Sequence, residues 1–156
     1  MTLEHAVHCD TAKLQRHNLL QHRLVAFARE QHVTTRQNER FSVEHAKKKL
    51  EPDIVFYFGA DTLETDVTVV NPCAPSRLQQ TLNKPGAAMQ QRCNDKIGKY
   101  NRSAQERGHN FVPLGFETHG RFGQPIDLLT RLASGTPDPT LDTPFRICAS
   151  ISPTQL

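Results

Sequence analysis

Two runs rich in β-branched and aromatic residues, Asp53-Ile-Val-Phe-Tyr-Phe58 and Leu63 to Val70, flank the tetrapeptide Gly59-Ala-Asp-Thr62. Glycine takes a positive φ without steric cost and aspartate bonds its own backbone, so these four residues suit a hairpin turn. The two runs then pair as antiparallel strands, and pairing assigns every side chain along them to one sheet face or the other. No other local signal constrains the chain as strongly. Asn71-Pro72 closes the second run, because proline cannot donate to a strand ladder.

The remaining elements follow from periodicity. Leu14, Leu20, Leu24, Val25, Phe27 and Ala28 recur at helical spacing, which predicts one long amphipathic helix over residues 11 to about 31, with Asp10 or Thr11 as its N-cap. Val33-Thr-Thr and Arg40-Phe-Ser-Val43 predict a first strand that runs into the basic loop Lys47-Lys48-Lys49. Pro75 and Lys84-Pro-Gly86 predict an irregular stretch. A second helix begins after Gly86, with Met89, Cys93, Ile97, Tyr100 and Ala104 spaced four, four, three and four, and Gly108 stops it. Asn110-Phe-Val-Pro-Leu-Gly-Phe-Glu117 reads as a strand whose Pro113 points to a sheet edge or a bulge, and residues 124–134 read as a short helix. Helix, three strands, helix, strand is the order of an α/β domain with a central mixed sheet flanked by helices. That domain spans residues 11–134, and residues 135–156 read as an irregular tail.

Composition limits the function classes. The chain has 156 residues, 37% apolar and 22% charged, which suits one domain with a modest core. No apolar run approaches the roughly 18 residues of a membrane span, and no signal-like segment opens the sequence. Cys9, Cys73, Cys93 and Cys148 form no CxxC pair, so reduced thiols in a nuclear or cytoplasmic setting are expected, without secretion. The net charge is +3, and twelve of the nineteen basic residues are arginine, which permits contact with phosphates. Arg16, Arg23, Lys47, Lys48, Lys49, Arg92, Arg102 and Arg107 are candidates for a DNA path, and His17 for packing or a phosphate contact. Without tryptophan, and with 6% aromatic residues, an exposed base-stacking platform is not expected.

The acids sharpen the reading. Asp53 opens the first run of the hairpin and Asp66 lies thirteen residues on, in the middle of the second. Pairing makes them near cross-strand neighbours, where carboxylates about 5 Å apart can share one cation. Alternation places Glu64, Asp66, Thr68 and Val70 on one face, so Glu64 is a weaker third ligand. The pattern alone leaves open a simple solvent-facing polar face.

Pro52-Asp53, Asp66-Val-Thr-Val-Val70-Asn-Pro72 and Lys96-Ile-Gly-Lys99-Tyr100, in that order, resemble the restriction-like endonuclease domain at the C-terminus of site-specific non-LTR retrotransposon proteins. Gly108 to Glu117 and Gly120-Arg-Phe-Gly123 extend the likeness downstream. Leu3-Glu-His5-Ala-Val-His-Cys9, followed by Arg16-His17-Asn18, resembles the end of that family's CCHC zinc motif and its join to the nuclease. The resemblance implies an αβββαβ core of the PD-(D/E)xK type and an endonuclease that nicks double-stranded DNA. Asp53 and Asp66 would be its Mg²⁺ or Mn²⁺ ligands, with Glu64 in support. A lysine would assist, and since Thr68 occupies its usual place in the third strand, the resemblance draws it from the following helix, Lys99 first and Lys96 second. A further departure is Glu51, where the family tends to carry a basic residue. It also implies a reverse transcriptase domain and element RNA as partners in target-primed integration. His5 and Cys9 have the spacing of half a zinc site, but four ligands are required and no cysteine pair precedes them in this sequence, so residues 1–10 read as a remnant and zinc is not expected. A non-cleaving nucleic-acid-binding relic and a plain α/β protein-interaction domain are the two other readings.

Overall fold

The computed structural model describes residues 10–41, 50–123 and 128. Along them run α1 (Asp10–Glu30), β1 (Thr34–Gln37), β2 (Ile54–Phe58), β3 (Asp61–Val70), α2 (Pro75–Asn83), α3 (Ala87–Glu106) and β4 (Asn110–Glu117). The strands form one mixed sheet in the order β1-β2-β3-β4, antiparallel through β3 and parallel between β3 and β4. The fold is therefore α/β.

The hairpin turn is tighter than the sequence suggests. Gly59, at φ +61°, and Ala60 close it alone, with Phe58 opposite Asp61, so β3 starts two residues before Leu63. β3 has ten residues and β2 only five. The ladder with β2 ends at Ile54 and Thr65, and residues 66–70 of β3 pair with β4 alone. One long strand thus outruns its hairpin partner, leaving a backbone edge open beside Asp53.

Alternation along the strands supplies two apolar faces, each covered by a helix. Leu24, Val25 and Ala28 of α1 pack on Ile54, Phe56, Phe58, Leu63, Val67 and Leu114. On the opposite face Met89 and Cys93 of α3 meet Val70, while Tyr100 and Ala104 meet Phe111, the two rings stacked 5.0 Å apart. Each large apolar side chain removed from water contributes about 1.5–3 kcal/mol. The same alternation sends Glu64 and Asp66 beneath α3, so their face is covered where solvent was a possibility. Gly108, at φ +72°, ends α3 as its sequence position suggests.

Two further expectations are corrected. The stretch after Pro72 holds α2: Pro75 stands in the first turn, where a missing N–H costs nothing, instead of breaking the chain. β1 stops at Gln37, because Asn38 turns the backbone at φ +52°; Phe41 makes only an isolated bridge to Leu50. Pro113, by contrast, does stand on an edge strand, β4, as its missing N–H requires. Lys47, Lys48 and Lys49, the segment around His5 and Cys9, and the tail lie outside the described residues. Of the expected helix over 124–134 only Leu128 is described; it is helical and fully buried against the α1 face of the sheet.

Gly115 on β4 sets the approach of α3. A Cβ there would stand 2.7 Å from Cys93 Sγ and 2.8 Å from Met89 Cγ, both on α3. Gly115→Ala is therefore expected to destabilise the protein by about 1–3 kcal/mol through overpacking. Urea denaturation checks this, and an unchanged midpoint would contradict the close approach.

Candidate active site

Where β2 ends, its place beside β3 is taken by a side chain. Asp53 stands one step beyond the last ladder pair, alongside Asp66, and its Oδ2 accepts the backbone N–H of Val67 at 2.7 Å. The same oxygen is 2.9 Å from His17 Nε2 on α1. The Asp53 backbone is fixed as well, since its carbonyl accepts from Gln21 Nε2 at 2.8 Å and from Asn38 N–H at 3.1 Å. Asp53 holds His17 above the ordinary histidine value of 6.5, chiefly through their hydrogen bond.

Asp66 is 3% exposed, and its Oδ1 lies 2.7 Å from Lys96 Nζ on α3. Burial pushes its carboxyl above the usual 3.8, and the charge of Asp53 adds to this; Lys96 and the Tyr100 hydroxyl oppose it. Tyr100 donates to the Glu51 carbonyl at 3.3 Å, accepts from Lys99 Nζ at 2.7 Å and lies within hydrogen-bonding reach of Asp66. Burial first, then the charge of Asp66, raises its phenol. These groups open on one cleft of about 470 Å³, lined from α1 by Lys13, Leu14 and His17, from the segment before β2 by Glu51 and Asp53, from β3 by residues 66–69, and from α3 by Lys96 and Tyr100.

The two helix lysines point differently. Lys96 reaches Asp66, whereas Lys99 is held on the Tyr100 ring, 4.3 Å from its centroid, and on its hydroxyl. Lys96, the second choice from sequence, is thus the lysine at the carboxylate.

Glu64 does not join this group. It is fully buried, and Arg107 Nη2 reaches both of its oxygens, at 2.7 and 2.8 Å, while His109 Nδ1 lies 2.8 Å from Oε1. Arg107 also donates to Ser103 Oγ at 2.6 Å and stacks over Phe41 at 4.1 Å. A carboxylate satisfied on both oxygens by a bidentate guanidinium is a structural pair, and Arg107 faces inward instead of lining a DNA path. Arg92 and Arg102 are exposed, paired on their own helix with Asp95 at 3.6 Å and Glu106 at 3.0 Å, outside the cleft lining. Arg16 is half-buried on α1. Both His17 nitrogens have partners within the chain, Asp53 and, at 3.3 Å, Asn18 Oδ1.

Sequence reasoning passed over Tyr100 as a site residue, reading it as an apolar helix position. Its hydroxyl was the available signal, since a buried phenol demands a partner. Glu64 with Arg107 spans 43 residues and leaves no local trace. Among the described residues no helix is long and apolar enough to cross a membrane, and no group of three or more His, Cys, Asp or Glu is arranged to hold a metal. Cys73 and Cys93 are free thiols, the latter pushed up to about 11 by burial and so unreactive.

No protein-family model matches the chain, and no curated protein matches it either.

Because the folded value of Asp66 lies above 3.8, the folded protein holds its proton more tightly than the unfolded chain does. The stability this group adds is present at low pH and lost as pH rises from 3.8 through the folded value. Asp66→Asn removes the loss, so the variant is expected to gain stability relative to wild type as pH climbs through that window. Urea midpoints at pH 4 and pH 7 give the comparison; a difference that moves the other way contradicts a net cost of ionising Asp66.

Proposed function

We propose that the chain is a metal-dependent DNA endonuclease domain with a restriction-endonuclease-like αβββαβ core, and that it nicks double-stranded DNA by hydrolysis. The observation that carries this reading is the Lys96 ammonium 2.7 Å from Asp66, alongside Asp53 in one open cleft. An acid just before β2, an acid on β3 and a lysine from α3 match the set the resemblance calls for. The element order supports the core, with α2 as an added helix before α3. Integration machinery with a reverse transcriptase domain and element RNA is the wider setting of the same proposal.

The donor set fits a hard divalent cation. Mg²⁺ is commonly held by one or two carboxylates, with waters and substrate phosphate completing its shell, so a third protein ligand is not needed. Asp66 is a buried anion whose ionisation is penalised, and a cation beside it would offset that penalty. Asp53 and Asp66 would hold Mg²⁺ or Mn²⁺, which when bound polarises a phosphoryl oxygen and lowers the pKa of a bound water.

The chain's own groups do the rest. His17 and the Val67 N–H fix one oxygen of Asp53. Lys96, 30% exposed at its side chain, presents its ammonium at the cleft wall, where it stabilises negative charge growing on a phosphate. Tyr100 fills the wall behind and holds the Lys99 ammonium on its hydroxyl.

Supercoiled plasmid with Mg²⁺ or Mn²⁺ at low salt tests the proposal. Wild type is expected to nick, Asp66→Ala to lose nicking, and Lys96→Ala to fall by about 10²–10³, the usual cost of removing one charge-stabilising group. Lys99→Ala is expected to retain most activity. Folded wild type that binds DNA and leaves plasmid intact would replace this reading by the non-cleaving relic, and full nicking by Lys96→Ala would return the helper role to Lys99.

A further inference from the structure

Asp53 has two carboxylate oxygens with unequal surroundings. Oδ2 takes both the Val67 N–H at 2.7 Å and the contact with His17 Nε2 at 2.9 Å. An ionised carboxylate only accepts, so His17 Nε2 carries the proton between them. The imidazole in turn is set by Asn18 Oδ1, 3.3 Å from Nδ1, and side chains of both His17 and Asp53 are largely withdrawn from water, at 25% and 18% exposure. With both ring nitrogens engaged inside the protein, His17 has no free donor for a phosphate, the other role its position on α1 suggests.

We infer that His17 is a positioning residue for Asp53. It clamps Oδ2 against the open edge of β3 from the side opposite α3 and so leaves Oδ1 as the oxygen directed to whatever the cleft binds. The clamp also couples the cleft to α1, which packs on the sheet through apolar side chains and reaches the Asp53 carbonyl through Gln21. A hydrogen-bonding partner of this kind orients a ligating carboxylate, and its removal costs about 10–100-fold in metal affinity. The consequence for metal binding rests on the endonuclease reading; the clamp itself does not.

The test uses the full chain as wild type, His17→Gln, His17→Ala and Asp53→Asn. Glutamine offers an amide N–H near the place of Nε2–H, whereas alanine offers none. Mn²⁺ binding by titration calorimetry is expected to weaken by about 10-fold or more in His17→Ala and to be restored in His17→Gln. A merely structural loss would not be rescued in this way, and equal affinity in His17→Ala and wild type overturns the inference. Without metal, long-range ¹H–¹⁵N spectra of the imidazole nitrogens report the clamp directly. The His17 Nε2 resonance is expected to move in Asp53→Asn, and a resonance that stays put overturns the inference whether or not the protein binds Mn²⁺. Wild type that binds no Mn²⁺ while that resonance moves would defeat the endonuclease reading and leave the clamp standing.

Discussion

The hydrogen bond from the Val67 N–H to Asp53 Oδ2 is the contact around which the cleft is arranged. β3 continues for five residues after its ladder with β2 has ended, and the first open N–H on that edge must find an acceptor or stay exposed. Pro52 precedes Asp53, so the chain leaves the sheet there and a carboxylate stands where a backbone carbonyl would have continued the ladder. One substitution of side chain for strand accomplishes two things. It satisfies the edge of β3, and it holds an acid beside Asp66 in an orientation set by the sheet.

Two acids on one face of β3 meet opposite treatment: one is closed in an ion pair and the other stands at the wall of an open cleft. Glu64 is fully buried and neutralised by the two-pronged Arg107 and by His109, which ties the end of α3 and the start of β4 to the middle of the sheet. A buried pair of that kind is satisfied, and removing either partner strands the other. Asp66, two residues on, has a single ammonium on one oxygen, a tyrosine hydroxyl within reach and a second carboxylate alongside. Its charge is only partly compensated, at the wall of an open cleft.

Much of this was legible in the chain. The hairpin follows from Gly59 between two β-rich runs, α1 and α3 from apolar spacing, and the edge position of β4 from Pro113. The juxtaposition of Asp53 and Asp66 follows from the hairpin, because strand register is a local consequence of turn length. α2 was obscured because proline serves both as a breaker and as a first-turn residue, and only its surroundings decide which. The order of the two lysines was obscured for a different reason. Three residues on a helix are about 60° apart around its axis, an angle small enough to share a face and large enough for Tyr100 to capture Lys99 while Lys96 passes to Asp66.

By itself the sequence determined the α/β class, the pairing of the central strands and the neighbouring positions of Asp53 and Asp66, since turn chemistry and periodicity act over a few residues. Tertiary structure alone decided which charges meet. Arg107 reaches Glu64 across 43 positions and His17 reaches Asp53 across 36, distances over which no local pattern operates. Those partners are selected by the packing of α1 and α3 on opposite faces of the sheet. The side chains carried under the helices must find counter-charges there, because an unpaired charge in that environment costs several kcal/mol.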